Sequence, residues 1–229
     1  LAGDEGIAWE FVGECTKGIP GGGFLYTNRE SISVGVVVQL ESLTKNRVKV
    51  SDLIDVFKSH QVVREFVRGG RIVEYSAHLI PISGLAMMPK LYTDGLLLAG
   101  DAAALVLSTG LVLEGSNFAI ASGLAAAEAI KKAQQAGDFS KESLACYQTT
   151  LEDSFVLKAL RTFKRAPHFL ENPSIYIHYP EIVCSVFNRL YARGNQPREK
   201  LWQMVRQEMR GRVFLWQLVM DLFRMKQAL

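Results

Sequence analysis

Cysteine, histidine and proline are all scarce in this chain, at three, four and seven among 229 residues. Cys15, Cys146 and Cys184 stand far apart, so neither a disulfide framework nor a CxxC or iron–sulfur ligand run can be built from sequence neighbours. A reducing compartment is the expectation. His60, His78, His168 and His178 share no spacing and have no acidic partner at helical distance, which argues against a metal centre. No Ser-His-Asp or Cys-His arrangement for nucleophilic catalysis can be drawn. An excess of one charge is missing too: 26 Lys plus Arg against 23 Asp plus Glu leave +3, too little for bulk binding of nucleic acid, and no nucleic-acid partner is expected. Long apolar runs are absent but for Gly95–Leu113, which carries Asp101, three glycines and a Ser-Thr pair and reads as buried strand and loop rather than a membrane span. The chain opens on Leu1-Ala-Gly-Asp-Glu-Gly, without Met, a basic n-region or an apolar h-region. The expectation is a cut inside a longer protein without a signal peptide, placed in the cytoplasm and at most peripheral to the inner membrane.

What is present is an ordinary globular composition, 48% hydrophobic and 21% charged, with enough apolar surface for a sizeable core. Near residue 140 the chain changes from Gly-punctuated, β-rich patterns to long helical ones. In the first half, Gly21-Gly22-Gly23 breaks the chain before Phe24-Leu25-Tyr26, and Ser31–Leu40 is rich in β-branched residues. With Thr27–Glu30 as the turn, these make a hairpin. Ser51–Val67 reads as a helix ended by Gly69-Gly70, Arg71–Ile80 as a further strand, and Gly95–Ala99 as a short apolar strand. Ser116–Ala136 reads as a helix with Ser116 as N-cap and Gly137 as its stop, rich enough in Ala and Gly for close approach on several sides. The second half reads as helices over Ser140–Arg165, Pro180–Arg193 and Pro197 to the end.

The stretch that carries chemistry is Leu96-Leu-Leu-Ala-Gly100-Asp101-Ala-Ala, followed by Gly110-Leu-Val-Leu-Glu114-Gly115-Ser116-Asn117 and the Ala-rich helix. A strand delivers Asp101 to its carboxyl edge, Gly100 lets a ligand come close, and a glycine-flanked loop enters a helix. Asp101 can accept hydrogen bonds from a sugar-alcohol hydroxyl. Free N–H groups at Ser116 and Asn117, with the helix dipole behind them, suit a carbonyl or an anion. A flavin offers both partners, a ribityl chain and a pyrimidine edge that gains negative charge on reduction. The plainer alternative is that Asp101 caps a turn and Gly115 opens a helix. A phosphate loop is excluded, because Gly110 and Gly115 have the spacing but Ser116 stands where the lysine belongs.

Five separated segments in one order resemble the electron transfer flavoprotein–quinone oxidoreductase family, and its FixC branch in particular. They are Gly21–Tyr26, Gly69–Ala77, Met88–Leu91, Gly95–Ala103 and Ala121–Glu128, and the run they define covers about half the chain. The resemblance implies an α/β (α+β) architecture: the C-terminal portion of a two-domain FAD-binding fold of the hydroxylase and geranylgeranyl reductase type, with a partial antiparallel substrate-side sheet and a helical C-terminal region. It divides the chain into 1–94, a substrate- or quinone-side β-rich segment; 95–137, the strand-loop-helix that completes the FAD-binding domain; and 138–229, the helical region. It further implies that Gly100 and Asp101 approach the FAD ribityl chain, that Gly115, Ser116 and Asn117 face the pyrimidine edge, and that backbone groups of Gly21 and Gly22 lie near a quinone. For this last pair, a simple turn is the alternative.

The implied activity is that of a flavoprotein oxidoreductase passing electrons from an electron transfer flavoprotein to a quinone at a membrane surface or to a ferredoxin-like subunit. A geranylgeranyl-reductase-like or hydroxylase-like flavoenzyme, and a flavin-free interaction module, stand as alternatives. The GxGxxG loop that binds the ADP half of FAD does not occur in the sequence. The chain alone is therefore expected to be an inactive fragment. Charge is uneven: Lys158–Lys226 holds thirteen Lys or Arg and five Asp or Glu. That basic region reads either as solvated helix faces or as a docking surface for an acidic redox protein or anionic lipid.

Overall fold

The computed structural model describes residues 5–110, 112–192, 194 and 197–229. It is an α+β structure in two compact units. The first comprises residues up to Tyr75 together with Glu171–Met220, and the second comprises Ser76–Leu170 with Asp221–Leu229.

In the first unit, strands β1 (Ala8–Phe11), β2 (Gly21–Thr27) and β3 (Ile32–Val38) form an antiparallel sheet in that order. The expected hairpin is present: Thr27 pairs with Ile32, and the Asn28 N–H donates to the Ser31 carbonyl at 2.8 Å. The three glycines do not break the chain ahead of β2 but form its first half. A β-carbon on Gly23 would lie 2.5 Å from the Phe57 ring, so the missing side chain is what lets Phe57 seat against the sheet and become fully buried.

Three helices follow, α1 (Leu40–Asn46), α2 (Val50–Ser59) and α3 (Gln61–Val67). The single helix expected over Ser51–Val67 is broken at His60, whose ψ is 134°. The break has a packing reason. Phe57 and Val63 are buried in one cluster with Leu25 and Cys15, whereas an uninterrupted helix would set them about a third of a turn apart. Arg71–Ile80 is not a strand: it has no assigned structure.

The C-terminal part of this unit holds α8 (His178–Tyr191) and α9 (Leu201–Met209). The helix expected from Pro197 to the end divides where Gly211 adopts φ +79°, and α10 (Leu215–Ala228) begins beyond it. Met204, Met209 and Val213 are buried against Ile182 and Val186, with Val205 beside them. Apolar residues that lie among the basic ones of this region are thus internal packing.

In the second unit the core gathers Leu105, Phe118, Tyr147, Leu151, Val156 and Leu160. The hairpin of β4 (Tyr92–Thr93) and β5 (Leu96–Leu97) packs with α4 (Ser116–Ala136), α5 (Lys141–Asp153) and α6 (Phe155–Thr162). The helix expected over Ser140–Arg165 is split at Ser154, whose Oγ accepts the Val156 N–H at 3.2 Å and caps α6. A short helix, α7 (Ala166–Phe169), closes this part of the chain. No helix among the described residues is long and apolar enough to cross a membrane.

Candidate functional site

The strand β5 ends in a tight turn that places Asp101. Gly100 has φ +59°, and a β-carbon there would come within 3.2 Å of the Ala119 β-carbon on α4. Both facts favour glycine: the conformation is costly for L side chains, and the backbone must lie close to the helix. The Gly100 N–H donates to Ser122 Oγ at 3.0 Å, and Ser122 in turn donates to the Ala119 carbonyl at 3.0 Å. Residues Gly100–Ala103 then make a single 3-10 turn, closed by Ala104 at φ +56°. This turn carries the Asp101 side chain out to the surface, while Ala103, Ala104 and Leu105 go into the core.

A second short hairpin, β6 (Leu107–Ser108) with β7 (Leu113–Glu114), brings the chain back to the start of α4. Leu111 lies outside the described residues. Gly115 occupies the N-cap position of α4. Ser116 is therefore the first helical residue and not the cap expected from the sequence, and Gly115 has no side chain with which to cap the helix. The Asn117 side chain receives the Phe118 N–H at 3.0 Å and donates to Glu114 at 2.6 Å. Ala119 N–H donates to the Gly115 carbonyl at 2.7 Å. Among the described residues, the amides of Ser116 and Asn117 donate to no acceptor, and both residues are exposed.

These two constructions meet. The Asp101 carboxylate lies 3.9 Å from where a Gly115 β-carbon would stand. Asp101, Gly115, Ser116 and Asn117, all singled out from sequence, share this single surface of the second unit, whereas Gly100, also singled out, is buried against α4 beside it. An acceptor carboxylate and two unspent N–H donors sit side by side, with no side chain at Gly115 between them. The donor set fits a flavin, whose ribityl hydroxyls need an acceptor and whose pyrimidine edge needs donors.

Two residues that sequence reasoning missed hold this surface in place. Tyr147 on α5 is fully buried, and its hydroxyl donates to the Leu98 carbonyl at 2.6 Å, just ahead of the Asp101 turn. Burial pushes its phenol up to about 12, partly offset by a hydrogen bond with Ser122. Asp94, in the β4–β5 turn, accepts the Lys141 N–H at 2.7 Å and so ties the hairpin to the start of α5. Only Asp94 carried a local signal, since Asp94-Gly95 is a turn dipeptide.

Gly21 and Gly22 lie in the first unit and are described with it. They pair with Val38 and Val37, and β-carbons there would meet the Val37 carbonyl at 2.1 Å and the Phe11 carbonyl at 2.7 Å. Close backbone approach within the sheet therefore explains both glycines without a ligand. The pair is a strand, not the turn that stood as the alternative.

Comparison with known proteins bears on which chemistry this surface serves. Residues 166–229 match the model of the ETF-QO/FixC family C-terminal domain. The protein FixC of Escherichia coli K12 is 41% identical over 191 residues, covering 83% of this chain and 44% of FixC. The chain belongs to the ETF-QO/FixC family. Two further family members from the same organism agree. The probable electron transfer flavoprotein-quinone oxidoreductase YdiS is 38% identical over 205 residues, or 90% of this chain and 48% of YdiS. The similarly described YgcN is 34% identical over 230 residues, or 100% of this chain and 54% of YgcN. The chain spans about half the length of these curated relatives. The family is one of electron-transfer oxidoreductases, and the Asp101 surface falls inside the stretch shared with YgcN.

Proposed function

We propose that this chain contributes the ribityl- and pyrimidine-side wall of an FAD site in an electron-transfer flavoprotein oxidoreductase. The observation that carries the reading is the pairing of the exposed Asp101 carboxylate with the undonated amides of Ser116 and Asn117 across Gly115. FAD, when bound, supplies the redox chemistry. The residues of this chain bind and orient it. Asp101 accepts hydrogen bonds from ribityl hydroxyls, and the N–H groups at the start of α4 stabilise negative charge on the pyrimidine edge, helped by the helix dipole. Such a role needs no acid–base triad.

The electron donor in this reading is an electron transfer flavoprotein, and the acceptor is a quinone or a ferredoxin-like subunit. Relatives named as electron transfer flavoprotein-quinone oxidoreductases support the first two. The half-buried backbone at Gly21 and Gly22 is the candidate quinone contact, and the division at 1–94, 95–137 and 138–229 is the matching division of labour. By itself the 229-residue chain is inactive and colourless, because the ADP half of the cofactor has no cradle in its sequence.

The test is anaerobic stopped-flow reduction of the complete reading frame that carries this chain by a reduced electron transfer flavoprotein, followed by reoxidation with a short-chain ubiquinone analogue. Rapid flavin bleaching and recovery are expected. A bound flavin that the electron transfer flavoprotein leaves oxidised would overturn the proposed donor.

A further inference from the structure

Glu114 lies in the stretch that carries the candidate chemistry but has no part in the contacts assigned to Asp101, Ser116 and Asn117. It ends β7, immediately ahead of Gly115, and is half-buried. Its carboxylate accepts a hydrogen bond from the Asn117 side-chain amide at 2.6 Å, and the oxygen of that amide accepts the Phe118 N–H at 3.0 Å. With both ends of the Asn117 side chain committed, the amide cannot turn over. The carboxylate is therefore held at the start of α4, beside the amides of Ser116 and Asn117 that donate to no acceptor among the described residues.

Nothing in its neighbourhood neutralises this charge. Between Lys90 and Lys131 the chain has no Lys, Arg or His, while it has Asp94, Asp101, Glu114 and Glu128. Among the described residues neither Glu114 nor Asp101 forms an ion pair. The surface that offers donors to a pyrimidine edge thus carries two uncompensated carboxylates. Asp101 is matched by ribityl hydroxyls in the flavin reading, and Glu114 is not.

Electrostatics fixes the sign of the consequence. Two electrons and one proton turn a neutral isoalloxazine into an anion whose added charge rests on the pyrimidine edge. The helix amides and dipole favour that charge. A fixed carboxylate beside them opposes it, and more strongly once a ligand has displaced the intervening water. We infer that Glu114 sets the redox potential of this site: its charge weakens the hold on reduced flavin relative to oxidised flavin and so lowers the midpoint potential. This role rests on the flavin reading of the same surface and makes the bound flavin a stronger reductant towards its acceptor.

The experiment measures the flavin midpoint potential of the complete reading frame that carries this chain, by equilibrium reduction against a reference dye. Parent, Glu114→Gln, Glu114→Ala and Glu114→Asp are compared. Gln keeps an acceptor for the Asn117 amide and loses the charge, Ala loses both, and Asp keeps the charge. Gln and Ala should each raise the preference for reduced over oxidised flavin about tenfold, which for a two-electron couple is about 30 mV upward. Asp should stay at the parent potential. A merely structural role would spare Gln and lower the melting temperature of Ala instead. The inference is overturned if Gln and Ala leave the potential unchanged or lower it, or if Asp moves it as far as Gln does. Flavin content, read first, separates the two claims. A complete protein that takes up no FAD overturns the flavin reading and the role of Glu114 with it, whereas bound FAD at an unmoved potential overturns the role of Glu114 alone.

Discussion

Oδ1 of Asp101 lies 3.9 Å from the point where a β-carbon on Gly115 would stand. A methyl group at Gly115 would therefore touch the carboxylate in ordinary van der Waals contact without displacing it. Gly115→Ala is predicted to leave the melting temperature within experimental error while weakening flavin retention in the complete protein. Equal flavin content in variant and parent would show that no ligand passes over this position.

Gly100 answers differently. Its φ of +59° and the 3.2 Å approach to Ala119 make Gly100→Ala a strained substitution, expected to lower stability by about 1–3 kcal/mol. Ser122→Ala leaves the buried Gly100 N–H without its acceptor and should cost a similar 1–3 kcal/mol, roughly. Denaturant titration of the chain checks both. Wild-type midpoints would remove the Gly100–Ser122 link from the account.

Alkaline pH supplies a third check. The Tyr147 phenol is raised in the folded state to about 12 from the ordinary 10, chiefly by burial, so the folded chain resists its ionisation. The stability this group contributes is complete below the unfolded value and is lost as pH rises from about 10 through about 12. Unfolding midpoints across that window should fall more steeply for the parent than for Tyr147→Phe, which has no proton to lose. Parallel pH profiles would contradict the assignment.

Cysteine labelling separates two of the three thiols. Cys15 is buried, its thiol raised by desolvation above its backbone hydrogen bonds, and Cys184 is exposed. A neutral-pH thiol reagent should modify Cys184 quickly and Cys15 only on unfolding. Rapid labelling of Cys15 would mean that the first unit opens readily.

The arginines of the basic region fall into two groups. Arg189 and Arg212 are tied to Glu199, Glu208 and Glu181, whereas Arg206 and Arg210 are exposed and make no ion pair among the described residues. If these two steer an acidic redox partner, changing both to Glu should slow reduction of the complete protein by that partner at low salt. The difference should shrink as the Debye length contracts from about 10 Å at 0.1 M salt to about 3 Å at 1 M. A rate indifferent to the double change and to salt returns both arginines to solvated helix faces.

The parts of the fold legible in the sequence are those set by local chemistry. The Asn28 turn, the β-branched β3 strand and the Gly137 stop of α4 all fall where propensity and turn residues put them. The breaks at His60 and Ser154 were not legible, because they serve packing against distant residues: Phe57 and Val63 must share one core, and the residues of α5 and α6 another. Gly21–Gly23 misled for the same reason. Their function is to admit Phe57 and neighbouring backbone, which no local window contains. At the candidate site, Asp101 and the start of α4 could be read from glycine spacing, but Tyr147 could not, since it reaches Leu98 from 49 residues away.

The central claim is that Asp101 holds a flavin, and the most direct measurement is flavin affinity of the complete reading frame with and without Asp101→Ala. The side chain is exposed and, among the described residues, makes no hydrogen bond, so the fold should melt unchanged. Loss of a charge-assisted hydrogen bond worth about 1.5–3 kcal/mol should weaken FAD binding by roughly tenfold to a hundredfold. An Asp101→Ala protein that keeps its visible flavin absorbance with wild-type affinity would contradict the account and leave Asp101 as the start of a turn.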